Sequence, residues 1–596
     1  MKRSKMLIWG LVMVLVGAIV ASMVQEDFGS VKVKNIRIAA ADGQTINATL
    51  FVPDNASAGT PAPAIMNTHG YLNQNETQTA FNIEFSRRGY VVLAIDMAGH
   101  GYSDTVPGDF SNGASDALKY LATLPFVDKA NITVQGHSMG GWSSVNAVVA
   151  NPDLVKTLIV VGSSQGSQKP EFPIGSQKIP ADAKYNFAVI FAKYDEFSMV
   201  NYGVDDASKF VSSPSLMEPF HTTEPVTLGK VYGSFSDGTG RIAYQNQSTH
   251  PGEHESRDVV SKVLSIVSMA SPAPHPLDAG NQVWPVKEGA TAVIFIGLIV
   301  FMLGAASILL RSPQFAGITQ EIRSYTPLKP GIWAIVAIVV VAVNALTMLP
   351  IQNWATSAIP TSGIFKQLFV NAGAVWFLIV QAILVILFII WHQLQGKAEG
   401  RTLASYGLYT DAESSSFRWG YIGRALLFSF ATVGSGYLLL ALVQELFKVD
   451  ARWWILTIRV ESPERFYLFL AYLIPFVIVF LCSGLISFGW MKLKDFGSEA
   501  KNMVVWSCAN IAVNLLGIVI IVAIQLLTLY GTGTVAFGSH TYDQLLVIAA
   551  YGLIPLIAIT SIFSTYLYRK TGSIYTGAFT AAIFVTWYLT SFQAIS

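Results

Sequence analysis

The stretch "NITVQGHSMGGWSSV", Asn131 to Val145, decides the reading of this chain. Ile132–Gln135 is a short β-branched run that reads as a buried strand, and Gly141-Trp142-Ser143-Ser144 is a small-residue helix start. Between them, Gly136-His137-Ser138-Met139-Gly140 fits G-x-S-x-G, which is weak as a bare string and much stronger between a strand and a helix. So sharp a turn holds the serine on strained backbone, and the flanking glycines let neighbouring chain approach closely. The adjoining helix N-terminus offers free N–H groups and its positive dipole end to developing negative charge. The expectation is a nucleophilic Ser138 on an elbow made by Gly136, His137 and Gly140. The plainer alternative is a glycine-rich turn with a capping serine.

Working outward, Ile36–Ala40 and Ile46–Val52 alternate around "AADGQ" and predict a hairpin. Short apolar runs follow at Ala64–Thr68, Tyr90–Ile95, Thr157–Val161 and Phe187–Phe191, with a last strand at Arg241–Gln245. Helical segments are expected at Asn112–Leu124, after Ser138 through Ala150, and at Arg257–Met269. Apolar strands alternating with helices imply an α/β fold, a mostly parallel sheet covered on both faces. Its working groups belong at the carboxyl ends of the strands.

The rest of the chain is of another kind. Of the 596 residues, 52% are hydrophobic and only 13% charged, with mean hydropathy +0.47; an ordinary soluble domain carries about 25% charge. The polarity is uneven. Residues 1–30 read as a cytoplasmic stub and transmembrane anchor, with a signal peptide as the alternative. Residues 31–272 read as the α/β domain, 273–288 as a linker, and 289–596 as an all-α membrane domain. A span needs about 20 mostly apolar residues. After Met6–Val24, such stretches fall at Ala290–Leu310, Gly331–Leu349, Val370–His392, Tyr421–Leu446, Phe466–Trp490, Met503–Leu529, Leu545–Tyr568 and Ile574–Phe592. With the N-terminus inside, the inner loops collect Lys2, Arg3, Lys5, Arg311, Arg323, Lys329, Lys397, Arg401, Arg418, Arg424, Lys492, Lys494, Lys501, Arg569 and Lys570. The outer loops hold Lys366, Lys448, Arg452, Arg459 and Arg465, so the bias places the α/β domain outside the cytoplasm. The loop from Lys448 to Arg465 is the weak point of that count.

The segment from Val31 to Ala270 resembles the α/β-hydrolase fold family. The resemblance rests on "NTHGYL" (Asn67–Leu72), "DMAGHGYS" (Asp96–Ser103), "GHSMGG" (Gly136–Gly141), "AKYDEF" (Ala192–Phe197) and "THPGEH" (Thr249–His254), in that order. It implies a triad in the chain order serine, acid, histidine. Ser138 is the nucleophile, Asp195 the acid with Glu196 as alternate, and His250 the base with His254 as alternate. It also implies an oxyanion hole from the backbone N–H groups of Met139 and Tyr71. A serine hydroxyl needs an imidazole to take its proton, and a carboxylate fixes the tautomer of that imidazole. His69 and His100 are expected to shape loops. His250 and His254 invite a zinc reading, but Pro251 and Gly252 argue against a helix there, so no metal is expected and no cofactor is assigned. Val226–Tyr244 reads as a glycine-turn hairpin that either walls the pocket together with Phe210–Phe220 or decorates the fold.

The leading expectation is a membrane-anchored serine hydrolase acting on a small-molecule or lipid-like ester, less favourably an amide or peptide. The alternatives are a transporter or sensor with a non-catalytic ligand-binding domain, and an acyltransferase using the same triad. The bilayer is an expected partner. Nucleic acid is not, since the net charge is +1 and no basic run stands out. The two cysteines, Cys482 and Cys508, fall in predicted spans and build no disulfide framework. In the membrane part, Asn344, Gln381, Asn510, Asn514 and Gln525 read as helix glue or, alternatively, as the lining of a solute pathway.

Overall fold

A computed structural model describes residues 4–40, 43–169, 177–320, 322, 327–409 and 416–595; Lys2, Arg3 and Arg323 of the charge count lie outside the described residues. The expected hairpin is β1 (Val31–Ala39) and β2 (Thr45–Pro53), paired antiparallel from Val31↔Pro53 to Ala39↔Thr45. The apolar runs become β3 (Ala62–Thr68), β4 (Val91–Ile95), β5 (Val127–His137), β6 (Thr157–Val161), β7 (Asn186–Tyr194) and β8 (Arg241–Thr249). They join one sheet in the order β1-β2-β4-β3-β5-β6-β7-β8, parallel from β4 to β8. The central strands β4 and β6 are buried along their whole length, as a sheet covered on both faces requires.

Helices α1 (Ser4–Gln25), α2 (Thr79–Ser86), α3 (Ala114–Thr123), α4 (Met139–Ala150), α5 (Ser198–Tyr202), α6 (Pro214–Met217) and α7 (Arg257–Ala270) complete the first half. Helix α2 was not expected. All eight of its residues are buried, so it has no polar face and no amphipathic period to read. The Val226–Tyr244 segment does not pair as a hairpin ladder; one isolated bridge, Tyr232↔Arg241, is what forms.

The second half is helical: α8 (Trp284–Leu309), α9 (Pro330–Ala358), α10 (Leu368–Trp391), α11 (Trp419–Phe447), α12 (Pro463–Gly484), α13 (Glu499–Thr532), α14 (Asp543–Thr571) and α15 (Ile574–Phe592). Among the described residues, eight helices are long and apolar enough to cross a membrane, α1 and α8 to α14. The ninth expected span, Ile574–Phe592, is not among them by that measure. Helix α15 forms where it was expected, but Thr576, Thr580, Thr586 and Thr590 lower its apolarity, and all but one of its side chains are buried among the others. It is a core helix of the bundle. Helix α1 packs along α8 through small residues: Gly10 meets the backbone of Phe301, and a Cβ on Gly17 would sit 2.8 Å from the Ala290 carbonyl. Small residues that let backbones approach are the usual device of helix pairing in lipid.

The two halves are bolted together by the loop that spoiled the charge count. Between α11 and α12, β9 (Ala451–Trp453) and β10 (Leu456–Ile458) form a small hairpin. Arg459 lies 3.1 Å from Glu76 and 3.4 Å from Asp96, and its guanidinium stacks 4.0 Å from the centre of the Tyr102 ring. Arg465 donates to the carbonyls of Gly101 (2.8 Å) and Gly99 (3.3 Å) and to Thr590 (2.7 Å). Arg452, paired with Glu288 at 2.5 Å within the helical half, donates across the junction to the Glu76 carbonyl, and fully buried Lys287, paired with Asp450 at 2.7 Å, reaches Thr79 Oγ1 at 3.3 Å. Arg452 and Arg459 are paired, buried charges, whereas buried Arg465 is held by backbone carbonyls. Arg459→Leu leaves Asp96 and Glu76 facing each other without a cation, and removing one partner of a buried pair costs about 3–5 kcal/mol. The expected result is a markedly lower melting midpoint for the detergent-purified protein, with Arg459→Lys falling between the variant and wild type.

Candidate active site

Strand β5 ends at His137 and α4 begins at Met139, so Ser138 is the single residue between them. Its backbone sits at φ 56° and ψ −126°, a sparsely populated conformation for a residue with a Cβ, of the kind that persists where surrounding structure enforces it. Enforcement comes from close packing. A Cβ on Gly136 would collide with the Gly140 carbonyl, and one on Gly140 with the carbonyl of His69. Met139 opens α4, so its N–H is one of the helix's unpaired donors. The other expected donor, Tyr71, follows Gly70, where an added Cβ would lie 3.1 Å from the Cβ of Ser138. Both loops therefore converge on the serine.

The structure brings Ser138, His250 and Asp195 together. His250 Nε2 is 2.8 Å from Ser138 Oγ, and His250 Nδ1 is 2.8 Å from Asp195 Oδ2. The arrangement fits a tautomer with its proton on Nδ1, donated to Asp195, leaving Nε2 to accept from the serine hydroxyl. The backbone N–H of Phe197 donates to the other oxygen, Asp195 Oδ1, at 2.7 Å. Glu196 takes a different place: its Oε2 accepts from the backbone N–H of His250 at 2.8 Å. Burial, followed by the neighbouring Asp195 charge, pushes Glu196 up to about 7. For His250, burial pulls downward, but the charge and hydrogen bond of Asp195 and the charge of Glu196 outweigh it, and the imidazole titrates above 6.5.

His254, the alternate base, packs against His137 with ring centres 3.8 Å apart and planes tilted by 48°. It lies on a short 3-10 helix, Pro251–Glu255, that carries its ring behind His250. His69 and His100 fall in loops as expected: His69 Nε2 accepts from the N–H of Met97 at 2.9 Å, and the two rings meet edge to face. Burial lowers His69 to about 4 and His100 to about 3, so both are neutral at pH 7.

One grouping escaped the sequence reading, which weighed His250 with His254. His137, His250 and Glu253 each bring a potential ligand atom within 4.8 Å of the others. Both nitrogens of His250 are engaged as described, and Glu253 Oε1 accepts from Asn246 Nδ2 at 2.8 Å. Burial pushes Glu253 well above the carboxylate range, and burial with the two neighbouring histidines holds His137 well below 6.5. As arranged, His137 and Glu253 form an uncharged layer beside His250.

The walls of the pocket above Ser138 correct another expectation. Phe210 and Phe220 face inward to the core, against Phe191 and Phe187, and no residue of Val226–Tyr244 lines the pocket. The walls are Tyr71, Leu72 and Phe197 on one side and Ile455, Leu545, Ile548, Tyr588 and Phe592 of the helical half on the other. The edge-to-face contact of Tyr71 with Phe369 of α10 adds to this seal.

Residues 59–200 match the family model described as serine aminopeptidase, S33. The chain is 29% identical over 149 residues to a 2-hydroxy-6-oxononadienedioate/2-hydroxy-6-oxononatrienedioate hydrolase of Paraburkholderia xenovorans, covering 24% of this chain and 50% of that one. It is 32% identical over 118 residues to the sn-1-specific diacylglycerol lipase ABHD11 of Mus musculus, covering 19% and 37%. Among solved structures, a hyperthermophilic esterase from the archaeon Pyrobaculum calidifontis aligns at 20% identity and TM-score 0.29, covering 43% of this chain and 92% of that one. The chain spans between 29% and 50% of the length of the curated relatives it matches. The family match over residues 59–200, with the sheet order and the serine elbow, identifies the α/β-hydrolase fold in the first half of the chain. The chain joins that fold to a bundle of long apolar helices.

Proposed function

We propose that this protein is a multi-pass membrane serine hydrolase that cleaves an ester through an acyl-enzyme on Ser138. The observation that carries the reading is the continuous relay from Ser138 Oγ through His250 to Asp195, 2.8 Å at each step. His250 takes the serine proton as Oγ attacks the carbonyl, and Asp195 stabilises the imidazolium. The N–H groups of Met139 and Tyr71 receive the oxyanion. His250 then protonates the departing alcohol, and water repeats the cycle to release the acid. Residues 31–272 form the catalytic domain, 289–596 the membrane domain and 1–30 a retained anchor. The charge bias of the loops supports a catalytic domain outside the cytoplasm. Its one weak loop is weakened no further, because Arg452 and Arg459 sit in buried pairs.

A membrane-impermeant fluorophosphonate applied to intact cells tests nucleophile and sidedness together. The expected result is one labelled peptide containing Ser138, with labelling no greater after lysis. Labelling that appears only after lysis reverses the orientation, and absence of labelling in both removes the nucleophile.

A further inference from the structure

The wall of the Ser138 pocket continues beyond it. Ile548 and Ala549 of α14 line the pocket with Tyr588 of α15. In steps of three and four down α14, Leu553, Leu556 and Thr560 remain on the same side of the helix, and they line a second cavity. Leu589, the residue after Tyr588, lines that cavity too. Between the two, the Tyr588 hydroxyl packs 2.8 Å from where a Cβ on Gly552 would stand. The shared face from Ala549 to Ser564 extends about 22 Å at the α-helical rise.

The second cavity is lined by amides, hydroxyls and apolar side chains, with no charged residue among the described residues that line it. Asn344 and Asn514 donate to carbonyls of their own helices at 3.0 and 2.9 Å, and Asn510 donates to Thr565 at 3.0 Å. Gln381 is different. It is 9% exposed, lines the cavity, and its Oε1 has no hydrogen-bond partner. An unpaired amide oxygen at membrane depth is unfavourable until something donates to it. A charged ligand would find no counter-charge there, whereas a hydroxyl would satisfy the amide.

We propose that this cavity receives an uncharged, hydroxyl-bearing lipid ester from the bilayer, and that the common face of α14 and α15 passes it to Ser138. The inference rests on the serine-hydrolase reading and names the substrate class and route for the same site. The test uses full-length protein in nanodiscs with two esters, monooleoylglycerol in the bilayer and p-nitrophenyl acetate in the water. Gln381→Leu removes the free amide, and Leu556→Trp narrows the passage. In both variants, kcat/KM for monooleoylglycerol is expected to fall by about 10-fold or more, while p-nitrophenyl acetate stays within about twofold of wild type. The water-soluble ester thus also reports on folding. Equal losses on the two esters, or undiminished monooleoylglycerol turnover in both variants, overturn the route. Lysophosphatidylglycerol, with its anionic headgroup, is expected to turn over at least about 10-fold more slowly in wild type, and equal turnover overturns the uncharged class. A wild type that cleaves no ester and takes no fluorophosphonate overturns the hydrolase reading itself.

Discussion

Ser138→Ala is expected to lower kcat on an ester by about 10⁶-fold, the scale seen when a triad serine is removed from a serine protease. In the proposed mechanism attack, proton transfer and acyl storage all pass through one oxygen, which lies 2.8 Å from His250 Nε2. Because Ser138 and His250 act as one unit, His250→Ala should cost nearly as much, and the double variant no more than either alone. A residual rate of about 10³–10⁴ over water should survive in all three, since the donors of Met139 and Tyr71 remain. Rates that multiply in the double variant would show that the two residues act in separate steps. Stability should move differently. Ser138 occupies φ 56°, and strain of this kind is worth about 1–3 kcal/mol. Ala retains a Cβ and the strain, whereas Ser138→Gly relieves it. The glycine variant should therefore melt higher than both wild type and Ser138→Ala while being as inactive as the latter, a divergence read by thermal melting in detergent.

Why the elbow was legible and its surroundings were not follows from the range of the interactions. Ser138 is fixed by contacts within a few residues and with the neighbouring strand end, and Gly136 and Gly140 record that crowding in the sequence. Asp195 and His250 follow the ends of β7 and β8, where the family resemblance nominated them with Glu196 and His254 as alternates. Geometry then separates the two carboxylates: Asp195 meets the imidazole and Glu196 the backbone of His250, a distinction that neighbouring residues in a turn do not spell out. The pocket walls were out of reach. Tyr588 and Phe592 stand more than 400 residues after Ser138, and their arrival depends on how the halves dock. That docking was written as Arg452, Arg459 and Arg465, which alone look like stray outer-loop charges and make sense only once Glu76, Asp96 and Gly101 face them. The same holds for α15, whose threonines read as a marginal span and serve as interior helix contacts, with the Thr580 hydroxyl 3.0 Å from that of Ser429.

Asp195→Asn should reduce kcat by about 10⁴-fold, the effect known for the corresponding change in a serine protease triad, and should move the acid limb of the pH profile. An asparagine amide can donate to Nδ1, which places the remaining imidazole proton on Nε2, facing Ser138 and unable to accept from it. In wild type, burial acts to lower His250, but Asp195 and Glu196 raise it above 6.5. Since the neutral imidazole is the base in the proposed mechanism, activity should climb with pH through a midpoint above 6.5. Without the Asp195 charge, burial prevails and the residual activity should climb through a lower midpoint. Glu196→Gln keeps an acceptor for the His250 N–H but removes the second charge, so the midpoint should also fall, with kcat reduced by no more than about 10-fold. The sign on stability is the same for both groups. His250 and Glu196 titrate higher in the folded protein than in the unfolded chain, so each favours the folded state at low pH. The His250 contribution is full below 6.5 and lost as pH rises through its folded value. That of Glu196 is full below 4.5 and lost by about 7. Glu196→Gln should therefore flatten the decline in melting midpoint between pH 4.5 and 7 while leaving the part above 7. A decline unchanged by the substitution would mean that Glu196 is ionised in the folded site throughout that range, and that its bond to the His250 backbone is a carboxylate bond at every pH where the enzyme works.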